Sequence, residues 1–253
     1  MTDIYTQGGT VCGLNHNTNQ DHFIVMDAGQ AHVLLVADGC GSSPKSEYGA
    51  MLFTHRMASY LGTLPEPTLT PDIVDTCWTE FQRFATIHLH QMASGVPGNY
   101  CQQFVNQFLL ATLHVCVVTP EDTFAFGSGD GVVWFNEDRM ILEPPRGDAP
   151  AYPAYTLVDD VSYTEEDVSF DLHFQKPTEE LEFAGVASDG VAELIERKDE
   201  EIRGGDTVGD LSQFQDEQYT RSPHMVSKRL RSIGQVNEKL HDDTTVAYAV
   251  GEE

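Results

Sequence analysis

Four acidic positions in this chain share one local setting, the end of a predicted strand beside residues that permit a tight turn. Asp38 and Asp189 each follow an apolar run and precede a glycine, Asp130 lies between two glycines, and Asp242-Asp243 opens an apolar run. One Asp-Gly pair is a common turn, but four in matching places indicate carboxylates that converge. Gathered carboxylates repel one another and lose hydration, so divalent cations are their natural partners. All-oxygen ligands favour Mg²⁺ or Mn²⁺, with Ca²⁺ as the alternative.

The clearest of these positions lies within residues 33–42. An apolar run stops at Asp38, which predicts a buried strand that delivers this aspartate to its end. The following glycine, Gly39, allows a tight turn and leaves its carbonyl oxygen beside the carboxylate. Ser43-Pro44 then predicts an N-cap and the first residue of a helix. An ordinary turn aspartate that caps its own loop is the alternative interpretation.

Hydrophobic spacing predicts the elements that must position these residues. Strands are predicted at residues 23–26, 32–37, 109–118, 123–127, 132–135, 139–142, 181–187 and 244–250, and helices at 44–61, 71–93, 191–197 and 223–236. Short turns join most of the strands, which favours antiparallel pairing. Strands and helices are partly segregated along the chain, so we expect an α+β fold of antiparallel sheets covered by helices.

Two long segments show no clean periodicity. Residues 143–180 are rich in proline and acidic residues, and we expect a long surface excursion, either irregular throughout or with some short elements, whose length suggests a functional role. Residues 198–222 are acidic and contain glycine, which predicts a loop or mobile insertion. We expect both segments to belong to a single domain over residues 1–253.

The composition excludes several classes of partner and site. The chain has 14 basic and 40 acidic residues, a formal charge of −26, which disfavours binding to nucleic acid or to an anionic membrane surface. Its five cysteines are odd in number and show no C-x-x-C spacing, so they indicate neither a disulfide framework nor a zinc site. The N-terminus does not look like a signal peptide, and no apolar run approaches a membrane span. We therefore expect a cytoplasmic protein.

Five short motifs follow one another along the chain. They are Asn19-Gln20-Asp21, Val36-Ala37-Asp38-Gly39-Cys40-Gly41-Ser42, Gly129-Asp130-Gly131, Ala187-Ser188-Asp189-Gly190 and Asp242-Asp243-Thr244-Thr245. Taken in this order, they resemble the motifs of the metal-dependent serine/threonine protein phosphatases of type 2C. The resemblance is closest to a bacterial stand-alone subgroup and extends from residue 13 to residue 250. It implies a four-layer αββα sandwich in which helices flank two antiparallel sheets.

The resemblance also implies a role for each acidic residue. Asp38 would bridge two Mn²⁺ or Mg²⁺ ions, and the Gly39 carbonyl would bind one of them. Asp189 and Asp242 would complete the first metal site, and Asp130 would bind a third, weaker ion. A further acid, Asp21, would lie beside the metal-bound waters without binding a metal directly. Asp243 occupies a position where the family more often has asparagine.

The resemblance implies the reaction and the partners as well. A hydroxide held between the two metals would attack the phosphorus of a phosphoserine or phosphothreonine protein, with no covalent enzyme intermediate. A cognate serine/threonine kinase is the expected counterpart of such an enzyme. Residues 143–180 would form the flap beside the active site and influence the choice of substrate.

Three residues depart from the family pattern. Gln20 replaces a glutamate that reaches a metal through water, and a neutral side chain should weaken that site. His16 occupies the position of a phosphate-binding arginine, and it is either a phosphate ligand or a structural histidine. Cys40 replaces a histidine proposed as a general acid in animal relatives, and we interpret it as packing.

Two other functions remain as alternatives to an enzyme. A pseudophosphatase would keep the fold as a binding module for phosphoproteins or a kinase partner, but it would not need Asp38, Asp189 and Asp242. An acidic Ca²⁺-binding protein is disfavoured because the sequence has no EF-hand loop.

Overall fold

Two five-stranded antiparallel sheets form the centre of the fold, in a computed structural model that describes residues 3–65, 68–93, 100–144, 150–158 and 163–251. The first sheet has the order β1-β12-β9-β6-β7 and the second the order β2-β3-β4-β5-β8. A short hairpin of β10 and β11 lies outside both sheets. The strands are β1 (Ile4–Val11), β2 (His22–Ala28), β3 (Ala31–Ala37), β4 (Leu113–Val118), β5 (Asp122–Ser128), β6 (Gly131–Phe135), β7 (Asp138–Leu142), β8 (Asp171–Pro177), β9 (Phe183–Ala187), β10 (Glu201–Ile202), β11 (Asp206–Thr207) and β12 (Thr244–Gly251).

The two sheets pack face to face through small and β-branched side chains. Alternate residues of β3, such as Leu34 and Val36, point between the sheets, whereas Val33 and Leu35 point to the helices on the outer face. The first sheet contributes residues such as Val186 to the same inner layer. Because both faces of β3 are buried, its sequence is a continuous apolar run rather than an alternating one.

Helices cover the outer face of each sheet, which confirms the predicted four-layer αββα sandwich. Aromatic rings of the helical layer, such as Phe53 and Phe81 with centroids 4.8 Å apart, pack on the second sheet. On the first sheet, Leu194 and Leu230 pack against Trp134 in a separate core. The helices are α1 (Glu47–Leu61), α2 (Val74–Ala93), α3 (Tyr100–Phe104), α4 (Glu165–Val168), α5 (Val191–Glu196), α6 (Glu217–Thr220) and α7 (Met225–Arg231).

The helix predicted from residue 44 begins later, at Glu47. The Ser43 hydroxyl donates to the Asn106 carbonyl and the Lys45 amide donates to the Gln107 carbonyl, so these residues are bound to a neighbouring segment instead of a helical turn. The second predicted helix has a 3-10 first turn before α2, and its predicted end at residues 94–95 lies outside the described residues. Residues 232–236, predicted as α-helix, form a π-helical turn after α7.

The surface excursion predicted for residues 143–180 is wrong for much of its length. Its last part is β8, the edge strand of the second sheet. Apolar residues scattered among its prolines and acids also reach the core, where Phe170 packs against Trp78 with ring centroids 5.2 Å apart. The loop predicted for residues 198–222 likewise buries Leu211 and Phe214 in the core on the first sheet. In both segments a few buried apolar residues stand among many polar ones, so the composition does not reveal them.

No helix in the described part of the chain has the length and apolarity to cross a membrane.

Candidate metal centre

The strand register brings the predicted acidic residues to one end of the sandwich. Asp38 follows the last residue of β3, which pairs with the first residue of β2, and Asp21 directly precedes β2. In the first sheet, Ala187 at the end of β9 pairs with both Val132 and Val246, near the starts of β6 and β12. The same end of this sheet therefore carries the remaining predicted acids, which are Asp130, Asp189 and Asp242.

Three of these carboxylates meet at the centre of the cluster. Burial, and then the charges of Asp21 and Asp189, raise the pKa of Asp38 well above its usual range. Burial also raises the pKa of Asp21 to about 7, although the Thr245 and Ser188 hydroxyls lie near enough to moderate the shift. Both oxygens of Asp21 and Oδ1 of Asp189 are buried and accept no hydrogen bond of normal geometry. Such groups normally have partners, so this cluster is arranged for a ligand that is not part of the chain.

Asp130 and Asp242 lie on the solvent side of the same cluster. Burial and the charge of Asp189 raise the pKa of Asp130 to about 6, with a smaller contribution from Asp242. Burial and the charge of Asp189 likewise raise the pKa of Asp242. Asp189 is thus the carboxylate that acts on three other predicted site residues, Asp38 included. A cation bound at Asp189 would relieve repulsion throughout the cluster.

The loop after β3 requires glycine at residue 39. A Cβ atom on Gly39 would lie 2.7 Å from the Gln20 carbonyl oxygen and 2.9 Å from Ser46 Oγ. The backbone on either side is anchored, because the Thr112 amide donates to the Asp38 carbonyl and the Cys40 amide donates to the Leu110 carbonyl. In the part of the chain that the structure describes, no hydrogen bond outside the regular elements ends on the Gly39 carbonyl. That oxygen remains free to act as a ligand beside Asp38.

Asp243 has the opposite environment from its neighbours in the cluster. Its side chain is almost fully buried, and its Oδ1 accepts from the Gly13 amide at 2.8 Å and its Oδ2 from the Gln20 amide at 2.6 Å. His16 Nδ1 lies 3.1 Å from Asp243 Oδ2 and 3.5 Å from Asp242 Oδ1. Asp243 therefore fixes the segment that carries His16 and leads to Asp21. In the sequence, the only indication of this role is that the resembling family more often has asparagine at this position.

His16 lies at the edge of the cluster, beside a cavity of about 260 Å³ lined by residues of both loops, including Gly41 and Ser43. Burial alone would lower the pKa of His16, but contact with Asp243 and the charges of Asp242 and Asp21 raise it overall. The Nε2 atom points away from the acids, towards Gly41. One ring nitrogen is therefore directed to the acidic pair and the other to the loop after β3.

Tyr152 also lies at this site, although no sequence motif indicates it. It belongs to the segment predicted as an excursion, and it is buried. Burial, a contact with the Cys40 thiol and the charges of Asp38 and Asp130 raise the pKa of Tyr152, so its hydroxyl stays protonated. Nothing in its local sequence distinguishes it from other tyrosines, because only the fold of residues 150–158 brings it to the acids.

The donor set fits a hard divalent cation. Among the described residues, no three His, Cys, Asp or Glu side chains are already drawn together as a complete ligand group. Mg²⁺ commonly binds through one or two carboxylates and keeps several waters, so it does not require such a group. The buried, unpaired oxygens of Asp21 and Asp189 and the free Gly39 carbonyl are the kinds of donor that it prefers.

Comparison with known proteins places the chain among phosphatases. A family profile described as "Protein phosphatase 2C" matches residues 9–239. A variant of a bacterial serine phosphatase is 15% identical, with a TM-score of 0.66 over 99% of this chain and 98% of the other. Stp1 from Staphylococcus aureus, a serine/threonine phosphatase, is 13% identical, with a TM-score of 0.60 over 100% and 96%. The S. agalactiae serine/threonine phosphatase is 11% identical, with a TM-score of 0.62 over 99% and 100%. No curated protein sequence shows significant similarity.

Proposed function

The chain belongs to the protein phosphatase 2C family of serine/threonine protein phosphatases, and we propose that it hydrolyses phosphoserine and phosphothreonine in proteins with divalent cations bound at the candidate metal centre. The observation that carries the proposal is the cluster of Asp21, Asp38 and Asp189. Both oxygens of Asp21 and Oδ1 of Asp189 accept no hydrogen bond of normal geometry, and burial is the main cause that raises the pKa values of Asp21 and Asp38. A fold without metal chemistry would gain stability by replacing these carboxylates.

We assign the ligands from this cluster and its rim. Asp38, Asp189 and Asp242 would hold the first two cations together with the Gly39 carbonyl, and Asp130 would hold a third. When bound, Mn²⁺ or Mg²⁺ would lower the pKa of a coordinated water and offset the charge of the phosphoryl oxygens. The number and identity of the cations form part of the proposal.

The protein's own residues would hold the candidate ligands and the substrate phosphoryl group in place for hydrolysis. Asp21 lies beside Asp38, and the backbone bonds of residues 38 and 40 fix the position of the loop that carries Asp38. Asp243 holds His16 at the rim, where the Nε2 atom faces the cavity. We propose that His16 donates a hydrogen bond to the phosphoryl group from that atom, a weaker grip than an arginine fork. No cysteine nucleophile is required.

The proposal also covers substrate choice, a kinase counterpart and the cellular compartment. Residues 150–158 approach the acids through Tyr152, and we propose that this segment influences the choice of protein substrate. A serine/threonine kinase with the same substrates is the proposed counterpart. The five cysteines are free thiols, which supports a reducing compartment such as the cytoplasm.

The test is phosphate release from a phosphothreonine peptide in Mn²⁺, in Mg²⁺ and in EDTA, with wild type, Asp38→Asn and the control Asp199→Asn. Asp199 is an exposed aspartate outside the cluster. We expect turnover by wild type and by the control with either cation, and none in EDTA or in Asp38→Asn. Full activity in EDTA would contradict the metal assignment. Metal binding without turnover would indicate a pseudophosphatase.

A further inference from the structure

The second feature of this molecule that suggests a binding role is a groove along one side of the sandwich. Strand β7 is the edge of the first sheet and β8 is the edge of the second. Two cavities of about 330 and 400 Å³ lie between them and share Met140 and His173 as lining residues. We call this continuous opening the seam groove.

The opposite edge of the first sheet, β1, has different surroundings. There the edge strand β1 is covered by the helical layer, because the Thr10 amide donates to Ser227 Oγ at 3.1 Å and Gln7 Nε2 donates to the Thr220 carbonyl at 3.0 Å. On the groove side, Met140 and Ile141 of β7 are 46% and 55% exposed. Exposed apolar residues on an uncovered edge strand are a recognised site of association.

Of the two edges in the seam groove, β7 is the one fit to accept another strand. Its register with β6 is continuous from Gly131 to Phe135, and it contains neither a proline nor a bulge. By contrast, β8 has a bulge at His173, because Leu172 pairs with Phe126 and Phe174 with Ala125, and it ends at Pro177. Bulges and prolines protect an edge strand from pairing, and β7 lacks both devices.

The charge of the groove indicates the chemistry of its occupant. The end next to the metal centre includes Gly129, the residue before Asp130, and it is lined by Glu143, Asp167 and Asp171. The other end is lined by Asp138, Arg139 and Lys176, and Arg139 is paired with Asp210 at 2.6 Å, so the excess of negative charge lies at the end next to the metal centre. A second copy of this chain, with a formal charge of −26, would be repelled. A cationic segment would be attracted.

We propose that the seam groove docks an extended, basic and apolar segment of the phosphoprotein substrate, which adds as a strand to the free edge of β7. Alternate side chains would enter the cavities beside Met140 and His173, and lysine or arginine would face Glu143 and Asp171. A five-residue strand such as β7 spans about 17 Å, so a segment of similar length suffices. The inference rests on the proposed function only for the identity of the partner as a substrate.

The test uses a fluorescein-labelled peptide of alternating valine and lysine, with fluorescence anisotropy in EDTA, so that binding is measured without metal. Two double variants carry the same change in net charge. Glu143→Lys/Asp171→Lys alters the groove, whereas the control Glu196→Lys/Glu201→Lys alters exposed residues on α5 and β10. We expect the groove variant to weaken binding about tenfold and the control variant to change it less than about twofold. Equal weakening by both would show attraction to net charge alone and overturn the proposal.

Two further peptides test the mode of binding. The same peptide N-methylated at alternate backbone amides cannot pair as a strand on its methylated edge, and we expect it to lose binding to the wild type. A valine–glutamate peptide should not bind. Unchanged affinity of the N-methylated peptide would exclude strand addition, and a wild-type dimer dispersed by the groove variant would identify a second copy as the occupant.

Turnover separates failure of this inference from failure of the proposed function. With Mn²⁺, the groove variant should keep wild-type turnover of p-nitrophenyl phosphate but lose about tenfold in kcat/KM for a phosphopeptide that carries the valine–lysine segment. Equal losses on both substrates would contradict docking in the groove. If the wild type hydrolysed neither substrate, the proposed function would fail while the anisotropy result would still stand.

Discussion

Two buried carboxylates at the same end of the sandwich have opposite surroundings. Each oxygen of Asp243 accepts a backbone N–H, from Gly13 and from Gln20. Neither oxygen of Asp21 accepts a hydrogen bond of normal geometry, and Asp38 beside it has a raised pKa. A buried charge with its hydrogen bonds made is part of the scaffold, whereas one without them is costly unless a ligand supplies the missing charge. The difference separates the residues that build the centre from those that would bind the cation.

The largest expected effect is the loss of turnover when Asp38 is replaced, because Asp38 is one of the candidate ligand carboxylates. Asp38→Asn should lower phosphopeptide turnover by orders of magnitude, because a neutral amide would hold divalent cations much more weakly than a carboxylate. In EDTA the same variant should be more stable than the wild type, since it removes a repelled charge. Steady-state kinetics and urea denaturation measure the two effects. Near-wild-type turnover would show that Asp38 is not the bridging residue.

The next effect concerns Asp243, the carboxylate whose oxygens are both paired. Its replacement should lower stability, whereas Asp38→Asn should raise it. Asp243→Ala leaves the Gly13 and Gln20 amides without an acceptor, and it should lower the free energy of unfolding by about 3 kcal/mol. Asp243→Asn keeps one carbonyl oxygen and should lose less. Urea denaturation of both variants in EDTA provides the measurement. If Asp243→Ala were more stable than wild type, Asp243 would belong with the unpaired carboxylates.

A smaller effect appears in the pH dependence of stability without metal. The folded-state pKa of Asp21, about 7, and that of Asp38 both lie above their ordinary values, so between pH 4 and 7 the folded protein binds more protons than the unfolded chain. Stability in EDTA should therefore fall as pH rises through this range. The stability gap between Asp38→Asn and wild type should close as pH falls, which urea midpoints at several pH values would show. A gap independent of pH would contradict the raised pKa values.

The smallest effect is expected at His16. Its Nδ1 atom lies beside Asp242, a candidate ligand, and Asp243, a scaffold carboxylate. His16→Arg should lower KM for a small phosphoester, because an arginine remains charged at every working pH, and His16→Ala should raise KM modestly. Unchanged KM in both variants across the pH range would identify His16 as structural.

The sequence pattern predicted most of the fold and the position of each acidic residue. Apolar runs that stop at Asp38 and Asp189, with glycines after them, are local signals of strand ends, and the antiparallel pairing then brings the ends together. The class of antiparallel sheets covered by helices followed from the same strands, and the four-layer αββα arrangement followed from the family resemblance.

What the sequence could not predict depended on contacts between distant segments. Adjacent Asp242 and Asp243 look alike in sequence, and only the amides of Gly13 and Gln20 distinguish them. Tyr152 and Phe214 lie in segments whose composition indicates surface loops, yet both are buried once the chain folds. A few apolar anchors are too sparse to produce a periodic signal.

Isothermal titration of the metal-free protein with Mn²⁺ at pH 7, in two buffers with different ionisation enthalpies, tests the central claim most directly. The wild type should bind Mn²⁺ and release protons, because the cation displaces those held by the carboxylates of Asp21 and Asp38. Asp38→Asn should lose this binding, and Asp243→Asn should retain it with the same release of protons. Wild-type Mn²⁺ binding in Asp38→Asn, or its loss in Asp243→Asn alone, would contradict the division between ligand and scaffold carboxylates.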